Sequence, residues 1–361
     1  MKRLLAALLV SLLPIPFAAG ASPFQPYAVT SYELTYEVVV RDLGPSDAFA
    51  IPLRVALLKS WEPHQFVRSI SVNPQPDQRL EDNLGNSFAT YQIERLQPGE
   101  RFTVRVDASL TVNSIDYTVD PRSVGQSDKN DPNYSNFIVP TKFIQSDDPA
   151  VRSTAQQILV ESSFLMDIVF KSYNWVIDNI DFKRLPGELG AAYAIRNREG
   201  DSAEFSNLLA ALLRANQIPA QRISGWGGTF VQGGNYTANN VGHGWVEFYL
   251  PNYGWIPMDP TFGKAHRFDN FVKSDDKHII LTKGAGVHFF TRGLYETPFG
   301  EADVLTDYNI YVHKKGTEYV SSTGQLIITS FFVVPVVFFT FFMVRAKMRA
   351  KSRSLPSLAT F

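Results

Sequence analysis

The chain has 361 residues, with 34 Lys and Arg against 35 Asp and Glu, 45% hydrophobic side chains and no Cys at all. A chain of this size can bury a sizeable core without disulfides, so the missing sulfur carries no penalty for stability. It does exclude thiolate chemistry outright.

Lys2 and Arg3 precede the apolar stretch Leu4 to Leu13, the breakers Pro14 and Pro16, and the small-residue site Ala19-Gly20-Ala21. This pattern predicts a cleavable signal peptide over residues 1–21, with an uncleaved anchor as the alternative. From Ser31 to Arg41 the alternation places Tyr32, Leu34, Tyr36, Val38 and Val40 on one face of a strand. Further strands are predicted over Ala50 to Trp61, Gln65 to Val72, Ser87 to Ile93 and Arg101 to Val112, separated by Pro- and Gly-bearing turns. Together they predict an antiparallel β-sandwich domain over residues 22–120. Residues 121–147 are polar and turn-rich, with Pro121, Pro132 and Pro140, and read as a linker.

At Asp148-Pro149 the period changes. Asp as cap and Pro in the first turn predict a helix, followed by a second over SFLMDIVFKSYNWVIDNI. A third begins near Ser202 and carries the apolar stripe Phe205, Leu208, Leu209, Leu212 and Leu213. Gln221 to Gly225, Gly244 to Leu250 and Gly254 to Met258 read as strands, and Lys277 to Thr282 and Val304 to Val312 are expected to extend that sheet. Helices followed by an antiparallel sheet predict an α+β domain over residues 148–320.

Leu326 to Val344 runs without a charge, long enough to cross a hydrocarbon core about 30 Å thick, and Arg345, Lys347, Arg349, Lys351 and Arg353 follow it directly. A single transmembrane helix over 326–344 is expected, kinked at Pro335, with a basic cytoplasmic tail over 345–361; a buried helix is the alternative. The expected protein is therefore a single-pass protein of the cell membrane, in contact with the lipid bilayer, with its large ectodomain outside. Seven basic residues and no acidic ones lie in the two ends, so the ectodomain keeps 27 Lys and Arg against 35 Asp and Glu, a net charge of about −8. No nucleic-acid partner is expected.

Three residues carry candidate chemistry. Ser202 sits in the first turn of an apolar helix, where unpaired amides and the helix dipole favour developing negative charge. Asp201 and Glu204 also have capping-box spacing, so Ser202 taken alone reads first as an ordinary helix-start residue. His243 heads a strand after a Gly- and Asn-rich run, and Asp259 ends the next strand in a DPTF turn, where antiparallel pairing can bring its carboxylate to the imidazole. Nucleophile-type group, base and orienting carboxylate follow in that order, which matches triad logic.

Residues 200–226 (GDSAEFSNLLAALLRANQIPAQRISGW) and 243–262 (HGWVEFYLPNYGWIPMDPTF) resemble the nucleophile helix and the His and Asp strands of the transglutaminase-like superfamily. The resemblance implies a papain-like transglutaminase core, helices packed on an antiparallel sheet, and residues 22–112 are similar to the β-rich domain that often precedes it. It also implies His243 as base, Asp259 as orienter and a Cys where this chain has Ser202. A Cys thiol starts near a pKa of about 8.5 and can be driven to a standing thiolate, whereas Ser must lose its proton during attack.

Two functions compete on that basis. One is a degenerate, non-catalytic transglutaminase-like module that binds protein or peptide ligands at the cell surface. The other is a membrane-anchored amide or ester hydrolase, or acyl transferase, using Ser202, His243 and Asp259. No cofactor and no required metal are expected: the six His show no HxxxH spacing and no EF-hand-like loop is present, although some family members bind calcium. Asn133 and Asn235 begin N-glycosylation sequons, Asn-Tyr-Ser and Asn-Tyr-Thr, as short as chance would give. Trp226, Trp245 and Trp255 either line a cleft or fill a core, with the core preferred.

Overall fold

The computed structural model describes residues 24–124, 130–230, 235–237 and 242–320. The expected signal peptide, the span over 326–344 and the basic tail lie outside the described residues. Among the described residues no helix is long and apolar enough to cross a membrane.

Six strands open the described chain: β1 (Ala28–Asp42), β2 (Ala48–Leu57), β3 (Gln65–Asn73), β4 (Gln78–Glu81), β5 (Ser87–Leu96) and β6 (Arg101–Asp116). Successive side chains of a strand point to opposite faces, and in β1 Tyr32, Leu34, Tyr36, Val38 and Val40 all face one core. β6 covers one edge of β1 from Ala28↔Ser114 to Arg41↔Arg101. β2 and β5 form a second sheet whose Ile51, Leu53, Val55, Phe88 and Tyr91 enter the same core.

The polar connection that follows contains one short helix, α1 (Pro132–Ser135). It is more than a tether, because Tyr134 and Ile144 are both buried. Next come α2 (Pro149–Val160), α3 (Leu165–Asn179), β7 (Asp181–Phe182), α4 (Ala191–Asn197), β8 (Glu199–Gly200) and α5 (Ser202–Ala215). Asp148 caps α2 by accepting from Ala150 N at 2.9 Å, with Pro149 at the first turn. The stripe of α5 is fully buried: Phe205, Leu208, Leu209, Leu212 and Leu213 pack with Val246, Phe248 and Ile256. Burial of each such side chain contributes about 1.5–3 kcal/mol before entropy is counted.

The remaining elements are β9 (Ala220–Gly227), β10 (Asn235–Thr237), β11 (Gly242–Leu250), β12 (Gly254–Met258), α6 (Pro260–Gly263), β13 (Lys273–Ser274), β14 (His278–Lys283), β15 (Phe290–Arg292) and β16 (Val304–Tyr319). β12, β11, β9 and β14 form an antiparallel sheet in that order. Val246, Phe248 and Leu250 turn towards α5, while Trp226, Ile279 and Leu281 enter the core built on β1. The sheet is thus packed on both sides.

Val304 to Val312 does not extend this sheet. It belongs to β16, which pairs with β1 over the full length from Ala28↔Tyr319 to Asp42↔Val304. The reason is the second edge of β1: with β6 on one side, the other presents a row of backbone groups that needs a partner. β16 supplies it and sets Ile310 opposite Tyr36 and Val312 opposite Leu34, all four buried. β15 likewise joins β2, and β10 joins the outer edge of β16. Both sheets of the N-terminal half therefore take strands from beyond residue 289. Trp226 fills the core against Tyr36 and Trp245 is buried, whereas Trp255 lies partly exposed against Phe137 and Tyr249.

Candidate active site

Ser202 opens α5, and the local chemistry explains why the helix begins there. Asp201 accepts from Ala203 N at 2.9 Å, and Glu204 reaches back to Asp201 N at 3.3 Å, which completes the capping box. The other Glu204 oxygen accepts from Leu189 N at 2.8 Å and Gly190 N at 3.2 Å, so the cap also holds the loop before α4. Burial pushes the Glu204 carboxyl above its usual range. No hydrogen bond from Ser202 N is formed among the described residues. Ser202 Oγ accepts a hydrogen bond from Gly244 N at 3.2 Å. Both readings of Ser202 are therefore visible at once: it follows a true cap, and its hydroxyl and amide remain at the head of the helix.

His243 lies on β11 opposite Gly225 of β9. Its ring stacks on Phe262 at 4.3 Å between centroids, and its Nε2 lies 2.6 Å from Asp259 Oδ2. The second nitrogen, Nδ1, makes no hydrogen bond among the described residues. Asp259 caps α6, with Oδ1 accepting from Thr261 N at 2.8 Å and Phe262 N at 3.0 Å. Burial opposes its charge, but the neighbouring imidazoles outweigh it and hold the carboxyl well below the usual range.

Asp259 has a further partner that sequence reasoning missed. His278, at the head of β14, places Nε2 3.0 Å from the same Oδ2, and its Nδ1 lies 2.6 Å from Asp275 Oδ1. Burial disfavours a charged ring there, yet Asp275 and Asp259 prevail and push its pKa up to about 10. β9 makes the convergence possible. It lies between β11 and β14, with Gly225 opposite His243 and Gly227 opposite His278, and the His243 ring lies directly over Gly227. The signal was the spacing of ISGWG on the central strand, together with a His at the head of each flanking strand. His243, Asp259 and His278 bring their donor atoms within 4.8 Å of one another. That set could hold a metal ion in principle, but the carboxylate oxygen at its centre is already engaged by both rings.

Ser202 and His243 border one cavity of about 860 Å³, whose wall also includes Arg222, Phe262, Phe289 and Tyr308. Arg222 is buried beside it, with Nη1 3.0 Å from Glu188 Oε1 and Nη2 2.9 Å from Ser224 Oγ. Spacing in the sequence gave no hint of this pair, because Glu188 comes from the loop before α4. Asn133 is engaged locally, donating to Asp131 at 3.1 Å and accepting from Trp255 Nε1 at 3.3 Å. Asn235 begins β10, opposite His313 in the ladder.

The sequence pattern of the transglutaminase-like superfamily core matches residues 152–260. Those residues form a transglutaminase-like superfamily domain. The match includes Ser202, His243 and Asp259 and ends before His278. A protein-glutamine gamma-glutamyltransferase of Pseudomonas aeruginosa is 24% identical over 221 residues, 58% of this chain and 30% of its own length. YebA of Bacillus subtilis, an uncharacterized protein, is 27% identical over 113 residues, 29% of this chain and 15% of its own. The chain thus spans less than a third of each of these relatives. A crystal structure of a candidate cysteine protease from Cytophaga hutchinsonii aligns at a TM-score of 0.60 and 16% identity, covering 82% of this chain and 94% of the other. At that identity the likeness establishes a shared fold, and its extent takes in strands on both sides of the transglutaminase-like domain.

Proposed function

We propose that this protein is a membrane-anchored, extracytoplasmic transglutaminase-like module that binds protein or peptide segments in the cavity at Ser202 without turning them over. The observation that carries this reading is the atom at the attacking position: a hydroxyl, held by Gly244 N at 3.2 Å, in a chain without Cys. A neutral hydroxyl at a helix start is not a standing nucleophile, because its proton leaves only when a base takes it during attack. What remains is well suited to holding a peptide. The uncommitted Ser202 amide can donate to a carbonyl, and Phe262, Phe289 and Tyr308 offer an apolar wall. Export and anchoring rest on the apolar segments at 1–21 and 326–344 and the basic residues after the second.

A second reading is favoured by one contact, the 2.6 Å approach of His243 Nε2 to Asp259 Oδ2. It leaves Nδ1 to accept the Ser202 proton as Oγ attacks an amide or ester carbonyl, and then to pass that proton to the leaving group. The test is a fluorophosphonate probe on the full-length protein, run beside binding and cleavage of a peptide library. The expected outcome is saturable peptide binding with neither Ser202 labelling nor cleavage. Labelling at Ser202 that disappears in His243→Ala would establish the hydrolase or acyl-transferase reading instead.

A further inference from the structure

His278 has both ring nitrogens against carboxylates, Nε2 at 3.0 Å from Asp259 Oδ2 and Nδ1 at 2.6 Å from Asp275 Oδ1. A neutral imidazole can donate from only one nitrogen, so two acceptor-only partners require the doubly protonated ring. Asp259 is consequently shared: a cation already occupies the oxygen that His243 also approaches. The His243 and His278 ring centroids lie 5.8 Å apart, and both residues are less than a tenth exposed. Charges at that separation in a buried site interact strongly.

The remaining surroundings do not relieve this. Trp245 meets the His278 ring edge-on at 4.9 Å, and Phe262 lies at 5.3 Å. His64 reaches only the backbone oxygen of His278, at 2.9 Å. A cavity of about 260 Å³ on this side is lined by Asp259 and His278, together with Glu247 and Lys283, which pair with each other at 2.7 Å.

We propose that His278 is a positioning residue of the site, whose charge, fixed by Asp275, restrains His243 from taking up a proton. The functional unit is then a chain of four groups, Asp275, His278, Asp259 and His243, in place of a simple His and Asp pair. Asp259 is held in place by His278, and the negative charge it offers to His243 is partly spent on the neighbouring cation. The inference rests on Ser202, His243 and Asp259 being the site.

Ser202→Cys in the full-length protein supplies a reporter, since thiolate formation there depends on His243 accepting the proton. Its alkylation by iodoacetamide, followed against pH, should show an acid limb. Adding His278→Gln keeps a neutral donor near Nε2 and removes the charge, so the protonated form of the site is retained to higher pH and the limb should move by about one pH unit, tenfold in proton concentration, towards alkali. Asp275→Asn, which withdraws one counter-charge from His278, should move it the same way by less. A limb that stays in place in both variants while the rate falls at every pH would overturn the proposal and leave His278 as scaffolding. If Ser202→Cys shows no limb, and His243→Ala leaves its rate unchanged, the reading of the site fails and the inference fails with it.

Discussion

A Cβ placed on Gly227 would lie 2.6 Å from Cδ2 of His243, so the imidazole rests directly on bare backbone of the central strand. Gly227 carries no positive φ, so the position demands a small residue for space alone. Gly227→Ala should push the ring away from Asp259 and cost about 1–3 kcal/mol in thermal or urea unfolding, as overpacking does. The penalty should shrink in a His243→Ala background, where most of the clashing ring is gone. Equal losses in both backgrounds would show that the strand, not the imidazole, resents the methyl group.

His278 ties stability to pH. Its folded pKa is raised towards about 10, so the proton it holds stabilises the fold fully below about 6.5 and progressively less as pH climbs towards 10. Asp259 and Asp275 are shifted downwards, so their contribution is present above about 4 and is lost on acidification. Denaturation midpoints should therefore peak between about pH 4.5 and 6.5. From there to pH 10 the fold should lose on the order of 2–4 kcal/mol, and His278→Gln should flatten that alkaline slope.

The buried Arg222 and Glu188 pair should behave asymmetrically. Glu188 also accepts from Asn207 Nδ2 at 2.8 Å and Gly286 N at 3.3 Å, so removing it strands donors on three segments. Glu188→Ala or Arg222→Ala alone should each cost about 3–5 kcal/mol, since one charge is left buried and unpaired. The double replacement Glu188→Ala with Arg222→Ala should cost less than the sum of the two single changes. Calorimetry on the four proteins closes the cycle, and simple additivity would mean the charges do not interact.

Asp201 is placed to serve the helix start. Asp201→Ala should destabilise the fold by about 0.5–2 kcal/mol, the usual value of an N-cap. Asp201→Asn should recover most of that loss, because the cap needs an acceptor rather than a charge. If the Asn variant is as unstable as the Ala variant, the carboxylate has a role beyond capping.

Much of this was legible in the sequence because local rules agreed with the tertiary outcome. The alternation along Ser31 to Arg41, the Asp148-Pro149 start and the Asp201/Glu204 box each specify their own element, and each appears as an element with that geometry. Ser202, His243 and Asp259 stand at the heads or ends of elements, where a chemical role can be read from position. The destination of β16 was not legible, since alternation reveals a half-buried strand but not which edge it will cover. His278 escaped for a related reason: its meaning depends on Asp259 and Asp275 meeting it across β9, and no spacing along the chain encodes that encounter.

Because Tyr319 is the partner of Ala28, the first strand waits for the last. A chain emerging from its amino end can pair β1 with β6 early, but the opposite edge of β1 stays bare until residues 304–319 have been made. Contacts of such sequence separation form slowly, and an open edge is an invitation to wrong pairings in the meantime. Completion of this sheet is thus deferred by the fold itself: a product cut short before Val304 keeps its transglutaminase-like residues yet lacks the strand that covers the second edge of β1.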